Sequence, residues 1–444
     1  MVNNLQINHA GKLEKNIAKL YIILLSFRMI SPFLFIQRVF HAGAGSIDFI
    51  LHIIGILLIL IRTKGVISFG RGMESKLLKS FFALVVYLNI SSLIMALVMQ
   101  MKDGNIGSDS AFDAISGMIV YFFQYAFIFY YNKEVFAMLT RKEIENSIQA
   151  CIWCLFVIGY IQIAVMNLGG VFSVIYDRFD IFDIFVDSNK LGKLSLTGAE
   201  GASAGGIIGV FVIPYLLSGV ITKEKSTSEI IQIILWLPIL YFTNSSTGYL
   251  LSCSVIPAFL IMFFGLNKGI VARKRILVLL VLFLIVLMVI LFWSSISTLL
   301  PEEFTEQINY LLLEKINDRD NGSTISRTVP IITNFGAFKE YPLFGVGNGC
   351  QGYFYVKYFP DWAFDNPGSD VLIFYKRAKE TIVNGALFFP SLLSGYGIIG
   401  VFLIFLYFLK SNKVLKNKKD KLGRFNYFYW LAMIPIVLYG FQTK

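Results

Sequence analysis

A chain of 444 residues with 56% hydrophobic residues, a mean hydropathy of +0.68 and only 15% charged residues cannot be a water-soluble globule, whose surface takes a larger charged share. Its formal charge of +11 and pI near 9.3 do not mark a nucleic-acid binder, because no basic stripe interleaves with aromatics in a soluble domain. Apolar runs recur instead at roughly the 20 residues that a bilayer-spanning helix needs. In chain order, about eleven spans are expected: Ile17–Ile36, Ile47–Ile61, Leu77–Met99, Phe112–Tyr131, Ile148–Leu168, Ser203–Ile221, Ile230–Phe242, Gly248–Leu266, Ile276–Trp293, Ile382–Leu409 and Phe425–Phe441. The fold class is an all-α, polytopic membrane helical bundle, with a twelfth span as the alternative count.

Orientation follows from Lys and Arg in the short loops, which stay cytoplasmic. A cytoplasmic N-terminus places Lys12, Lys15 and Lys19, then Arg62 to Lys79, Lys133 to Lys142, Lys223 and Lys225, Lys268 to Arg275, and Lys410 to Arg424 on that face. The opposite loops carry Asp103, Asp109, Asp177, Asp180, Asp183, Asp187 and Glu200. The net charge is therefore mainly a topology signal. The first apolar run lacks a small-residue cleavage site and holds Arg28, so it is expected to be an uncleaved span.

Two loops on the outer face are long, Gly169–Ala202 and Ser295–Thr381, and loops of that length are usually functional or disordered. Both contain aromatics, which argues against disorder. Phe172, Ile175, Tyr176, Phe179 and Phe182 predict a short surface helix in the first. In the second, Pro301–Lys315 opens on acids, and Pro330–Phe338 puts Ile331, Ile332, Phe335 and Phe338 on one helical face. The domain division is 1–294, membrane helices with the 169–202 loop; 295–381, the large loop; and 382–444, the last membrane helices. Cys151 and Cys154 form a C-x-x-C inside an apolar helix, where packing outweighs thiolate chemistry.

The chemistry should sit in the large loop. Gly345, Gly347 and Gly349 in Lys339-Glu-Tyr-Pro-Leu-Phe-Gly-Val-Gly-Asn-Gly349 permit positive φ and let backbone amides face an anion. Arg178, Arg319 and Arg327 lie in the outer loops, where guanidinium groups can hold an anion through oriented, charged donors. Arg28, about 17 Å along its helix from Ile17, either reaches a bound anion or snorkels outward. Glu200, at the mouth of the sixth span, is the candidate proton acceptor; its alternative role is to cap the helix that follows. Arg327 has an alternative too, an ion pair with Glu340 or Asp320. Tyr353, Tyr355, Tyr358, Trp362 and Phe364 either stack on sugars or anchor the loop at the headgroups, and the Thr243–Gly248 segment is either a polar entrance or a tight turn.

The order of Lys193-Leu-Ser-Leu-Thr-Gly-Ala-Glu-Gly-Ala-Ser203, the Thr243–Gly248 turn, Arg327, Tyr341-Pro-Leu-Phe-Gly-Val-Gly-Asn-Gly349 and Ser391-Leu-Leu-Ser-Gly-Tyr-Gly-Ile-Ile-Gly400 resembles the O-antigen polymerase and O-antigen ligase family. Lys193 stands where that family more often has arginine, and the turn lacks the family's arginine. The resemblance implies a GT-C-like fold with a large extracytoplasmic loop domain in a bacterial inner membrane. It also implies an inverting, metal-independent glycosyltransferase with no cofactor. Its partners would be an undecaprenyl-pyrophosphate-linked oligosaccharide, membrane lipid and a chain-length regulator protein, and no nucleic acid. Arg327 and Glu200 become the catalytic candidates; Arg178, Lys193, Arg319, Gly345, Gly347, Gly349 and Arg28 become the substrate-binding ones.

A ligase of the family carries a histidine in the outer loop ahead of the Gly-x-x-Gly that is Gly397–Gly400 here, whereas the three histidines of this chain are His9, His41 and His52. That favours a repeat-unit polymerase for O-antigen or capsule over a ligase. A flippase for lipid-linked sugars is the competing class, but the 87 residues of 295–381 would serve a carrier poorly.

Overall fold

The computed structural model describes residues 11–25, 47–66, 73–103, 129–168, 194, 196, 201–222, 226–266, 322–347, 350–365, 370–380, 388–417 and 423–439. Regular structure among them is entirely helical: α1 (Lys12–Leu24), α2 (Ile47–Arg62), α3 (Met73–Asp103), α4 (Arg141–Leu168), α5 (Gly201–Gly206 continued by Ile207–Val212 and Ile213–Thr222), α6 (Ser226–Phe242), α7 (Ser246–Leu266), α8 (Gly322–Glu340), α9 (Gln351–Lys357), α10 (Asp370–Glu380), α11 (Phe388–Asn417) and α12 (Arg424–Tyr439), with a further helical stretch at 129–138. Five stretches are long and apolar enough to cross a bilayer: Lys76–Met95, Arg141–Asn167, Ser203–Thr222, Ser246–Phe263 and Phe389–Lys413. The chain is a multi-pass helical membrane protein. The expected span at 276–293, most of that at 112–131, the helix at 301–315 and the surface helix around 172–182 lie outside the described residues.

Caps explain where helices outrun the apolar pattern. α4 begins at Arg141 rather than Ile148 because Thr140 and Glu143 cap each other. The Glu143 amide donates to Thr140 Oγ1 at 3.3 Å, and the Thr140 amide donates to Glu143 Oε2 at 2.9 Å. That reciprocal cap satisfies two otherwise orphaned donors, so two polar turns precede the lipid-facing part.

The chain divides into two compact units by contact. The first comprises Met1–Lys79, Phe123–Cys253 and Lys418–Ala432; the second comprises Ser80–Phe122, Ser254–Asn417 and Met433–Lys444.

In the first unit, α5 is the central helix: 78% of its apolar window is buried, against 28% for α4. It packs on α6, and its first half approaches the start of α7 so closely that a Cβ on Gly205 would lie 2.5 Å from the Gly248 Cα. Lipid tails give helices no hydrophobic reason to associate, so such close backbone contact supplies dispersion energy. Tyr215, Leu216, Trp236, Ile239, Leu155 and Cys151 fill the core around α5. Burial of Cys151 there agrees with a packing role. Ion pairs gather at one end of this unit: Lys19 with Glu143 at 2.8 Å, Arg62 with Glu14 at 3.3 Å, Arg141 with Glu145 at 2.7 Å, and Arg424 with Glu229 at 2.6 Å. Basic residues expected on one face thus meet at one end, as helices alternating in direction require.

In the second unit, α8, α9 and α10 build a small lobe beside α11. Ile325, Val329, Tyr355, Phe359, Ala363, Val371 and Leu372 form its core, and Ala337, Val346, Cys350 and Phe354 form a second cluster. The aromatic run therefore has a role beyond the two expected: Tyr355 and Phe359 are core residues, while Trp362 and Phe364 stay partly exposed. α8 starts eight residues before Pro330 and runs through it. Its packed side is Val329, Thr333, Asn334 and Ala337, whereas Ile331, Ile332 and Phe335, expected as one apolar face, are exposed.

Candidate functional site

Two polar constructions occupy the positions of the sequence motifs, one in each unit. In the first unit, the segment leading into α5 is pinned by backbone bonds. Gln162 of α4 uses both ends of its amide on Leu196: Nε2 donates to the Leu196 carbonyl and the Leu196 amide donates to Oε1, both at 2.9 Å. The Leu194 amide donates to the carbonyl of Phe242, the last residue of α6, at 3.0 Å. Leu194 and Leu196 are fully buried, and Leu196 holds a left-handed conformation, φ +53°.

Beside them runs the turn from α6 to α7. Thr243 Oγ1 donates to the Leu240 carbonyl at 2.7 Å, Ser245 Oγ accepts from the Gly248 amide at 3.3 Å, and Thr243, Ser245 and Thr247 are buried. This is a tight turn in which the Thr243 and Ser245 hydroxyls bond to backbone groups. Lys193 and Glu200 lie outside the described residues.

In the second unit, α11 is broken at Gly397, whose φ of 63° and ψ of −170° suit glycine alone. An intact helix would bond the Ile398 amide to Ser394 and the Ile399 amide to Gly395. Here those amides donate to Pro342 and Leu343, at 2.9 and 3.1 Å, and the freed carbonyls of Ser394 and Gly395 accept from Val346 and Gly347, at 2.8 and 3.0 Å. These four groups released by the break are re-paired with the 342–347 segment, as a low-dielectric setting demands.

Around this joint lies a buried network of side chains. Ser394 Oγ donates to Asn334 Oδ1 at 2.6 Å, Gln351 Nε2 donates to the Ser391 carbonyl at 2.7 Å, and Asn334 Nδ2 donates to the Pro330 carbonyl at 2.8 Å. Nearby, Glu340 accepts from Lys357 Nζ at 2.6 Å and from the Tyr358 hydroxyl. Those bonds raise the pKa of both Lys357 and Tyr358. Burial pushes the Cys350 thiol up to about 11, so this cysteine is an inert packing group.

Gly345 and Gly347 have positive φ, as expected, but their amides end on the Tyr341 and Gly395 carbonyls at 2.9 and 3.0 Å. Neither amide is left to face an anion. Gly345 passes against the backbone of Ser394 and Gly395, and Gly347 passes against that of Ser92, so both act through close approach. Gly349, Arg28, Arg178 and Arg319 lie outside the described residues.

Arg327 sits within α8, not ahead of it. Sequence reading passed over Gln162, Asn334, Gln351 and Ser394. An amide inside an apolar run, as at Gln162, was the available signal.

The joint yields a direct prediction. Gly397→Ala forces a side chain into a glycine-only conformation and puts its Cβ 2.3 Å from the Leu343 carbonyl oxygen. Strain alone costs about 1–3 kcal/mol. Thermal unfolding in detergent should fall by several degrees; an unchanged melting temperature would show that α11 is not broken there.

Residues 231–405 match the family model described as O-antigen ligase. The matched stretch runs from α6 to α11 and so includes the Thr243–Gly248 turn, Arg327, the 342–347 segment and the break at Gly397. No curated protein and no solved structure matches the chain. Residues 231–405 are thus similar to the O-antigen ligase family, within a chain whose described residues build a helical membrane architecture.

Proposed function

We propose that this chain is a polysaccharide repeat-unit polymerase. It moves a glycan from undecaprenyl pyrophosphate to a hydroxyl of a lipid-linked repeat unit, at the outer face of the bacterial inner membrane. The N-terminus and the ion-paired end of the first unit lie on the cytoplasmic side. The observation that carries the family-level reading is the match over 231–405, which supports a role in lipid-linked polysaccharide synthesis. The polymerase branch is favoured by the absence of histidine from the loop ahead of Gly397. The ligase reading has its own support, because the matched model is described as O-antigen ligase.

In this reading the acceptor O–H bond breaks as its oxygen attacks the anomeric carbon from the face opposite the diphosphate. The proton passes to Glu200. The anomeric carbon–oxygen bond breaks, and its electron pair leaves with undecaprenyl diphosphate. Arg327 and Arg319, joined by Arg178, Lys193 and Arg28, neutralise that departing charge with oriented donors, which needs no metal. Gly345 and Gly347 shape the backbone that positions α8 against α11. A chain-length regulator protein is a further partner.

Purified protein in liposomes with lipid-linked repeat units is expected to produce a ladder of chain lengths. A single transfer without a ladder would favour the ligase, and flipping without transfer would overturn the enzyme reading. In the same assay Glu200→Gln should lower turnover more than it weakens donor binding, because a general base acts on the transition state. Equal loss of both would make Glu200 a structural residue.

A further inference from the structure

Within the second unit, α3 and the second half of α11 enclose an open groove of about 470 Å³ that the proposed chemistry does not use. That size lies within the range of roughly 300–1,000 Å³ typical of small-molecule sites. Its chemistry is graded along its length. At one end stand Lys410 and Lys413, with Lys410 Nζ donating to Ser80 Oγ at 3.1 Å. Beyond them the walls are apolar, with Leu84 and Leu406 facing the space. Both lysines are exposed, and neither forms an ion pair among the described residues.

Tyr87, which also lines the groove, adds an independent observation. Its hydroxyl is shielded from solvent and has no hydrogen-bond partner among the described residues. A buried hydroxyl without a partner is unfavourable, so a ligand that supplies an acceptor there is selected for. Tyr87 lies seven residues from Ser80, about 10 Å along α3, and helical side chains lean back toward the N-terminus. That lean carries the hydroxyl toward the lysines, into the zone where a headgroup gives way to an acyl chain.

We propose that this groove binds one anionic glycerophospholipid of the surrounding bilayer. Its phosphate lies between Lys410 and Lys413, an ester oxygen accepts from Tyr87, and an acyl chain runs along Leu84 and Leu406. Charge complementarity selects the occupant: a zwitterionic lipid would set its own ammonium against two lysines. The sequence beyond α11 continues with Lys416, Lys418, Lys419 and Lys421, which adds to the local attraction for anionic headgroups. The groove is independent of the transfer reaction and stands or falls without it.

The test is lipid retention by the full-length protein in detergent, read by native mass spectrometry after addition of palmitoyl-oleoyl phosphatidylglycerol, palmitoyl-oleoyl phosphatidylcholine or undecaprenyl phosphate. Phosphatidylglycerol should remain as a single adduct under conditions that strip phosphatidylcholine. The double variant Lys410→Gln with Lys413→Gln should lower that retention about tenfold, and Tyr87→Phe about threefold. The exposed pair Lys12→Gln with Lys142→Gln, which removes equal charge elsewhere, should leave it unchanged. Ala83→Trp, which fills the groove from an exposed position in its wall, should abolish the adduct without touching either lysine. Equal retention of phosphatidylcholine, preferential retention of undecaprenyl phosphate, or an adduct indifferent to both the lysine pair and Ala83→Trp would each overturn the proposal.

Discussion

Glu229→Ala is expected to remove the folded protein from detergent extracts. Glu229 and Arg424 are 2.6 Å apart, and their side chains retain 3% and 8% of their exposure. The arginine is held further by the Tyr215 carbonyl at 2.6 Å, by Ser218 Oγ at 3.2 Å, and by the Tyr215 ring 3.7 Å beneath its guanidinium. Without the carboxylate that cation stays trapped among α5, α6 and α12 with its charge uncompensated. Breaking such a pair costs about 3–5 kcal/mol, a large part of the 5–15 kcal/mol typical of whole domains. Fluorescence-detected size exclusion after a temperature ramp measures the effect. Arg424→Ala should be comparably harmful, and Glu229→Gln with Arg424→Met should cost less than the sum of the single changes, because two neutral groups leave no orphaned charge. Wild-type melting of Glu229→Ala would show that the pair is hydrated.

The second large effect is on chemistry. Arg327→Ala should abolish chain elongation while expression and melting temperature hold. Loss of one oriented donor to a developing anion costs about 10²–10³ in rate. Arg327→Lys should recover only part of the activity, because an ammonium keeps the charge but loses the planar fork. The assay is the length distribution of polymer made in liposomes. A wild-type ladder from Arg327→Ala would remove this residue from the site, while a collapsed melting curve would assign it to the lobe's structure.

The membrane architecture was legible because its signal is coarse. α2, α3, α5, α6 and α7 cover the apolar runs expected for them, since a lipid-facing helix must be apolar over its whole span whatever its neighbours are. Precision failed where tertiary bonding decides. Thr140 and Glu143 lengthen α4 by two turns through a local cap that apolar runs cannot register. Pro330, taken as a helix start, lies inside α8, because packing on α9 and α11 holds the helix through it. The glycines were recognised by spacing, but the partners of their amides were not. Which carbonyl a given N–H meets depends on the break in α11, some 50 residues downstream, and no local pattern encodes it. Ile331, Ile332 and Phe335 form the exposed side of α8, while Thr333 and Asn334 are buried by satisfying polar bonds that hydropathy counts against them.

The interrupted helix α11 has a mechanical corollary. Because the 342–347 segment closes the gap at Gly397, a bilayer helix and the lobe outside its apolar pattern share one clasp rather than a hinge. Neither half can be lengthened, excised or transplanted by itself. A loop graft that stops short of Pro342 or Gly347 would strand open carbonyls where water does not reach.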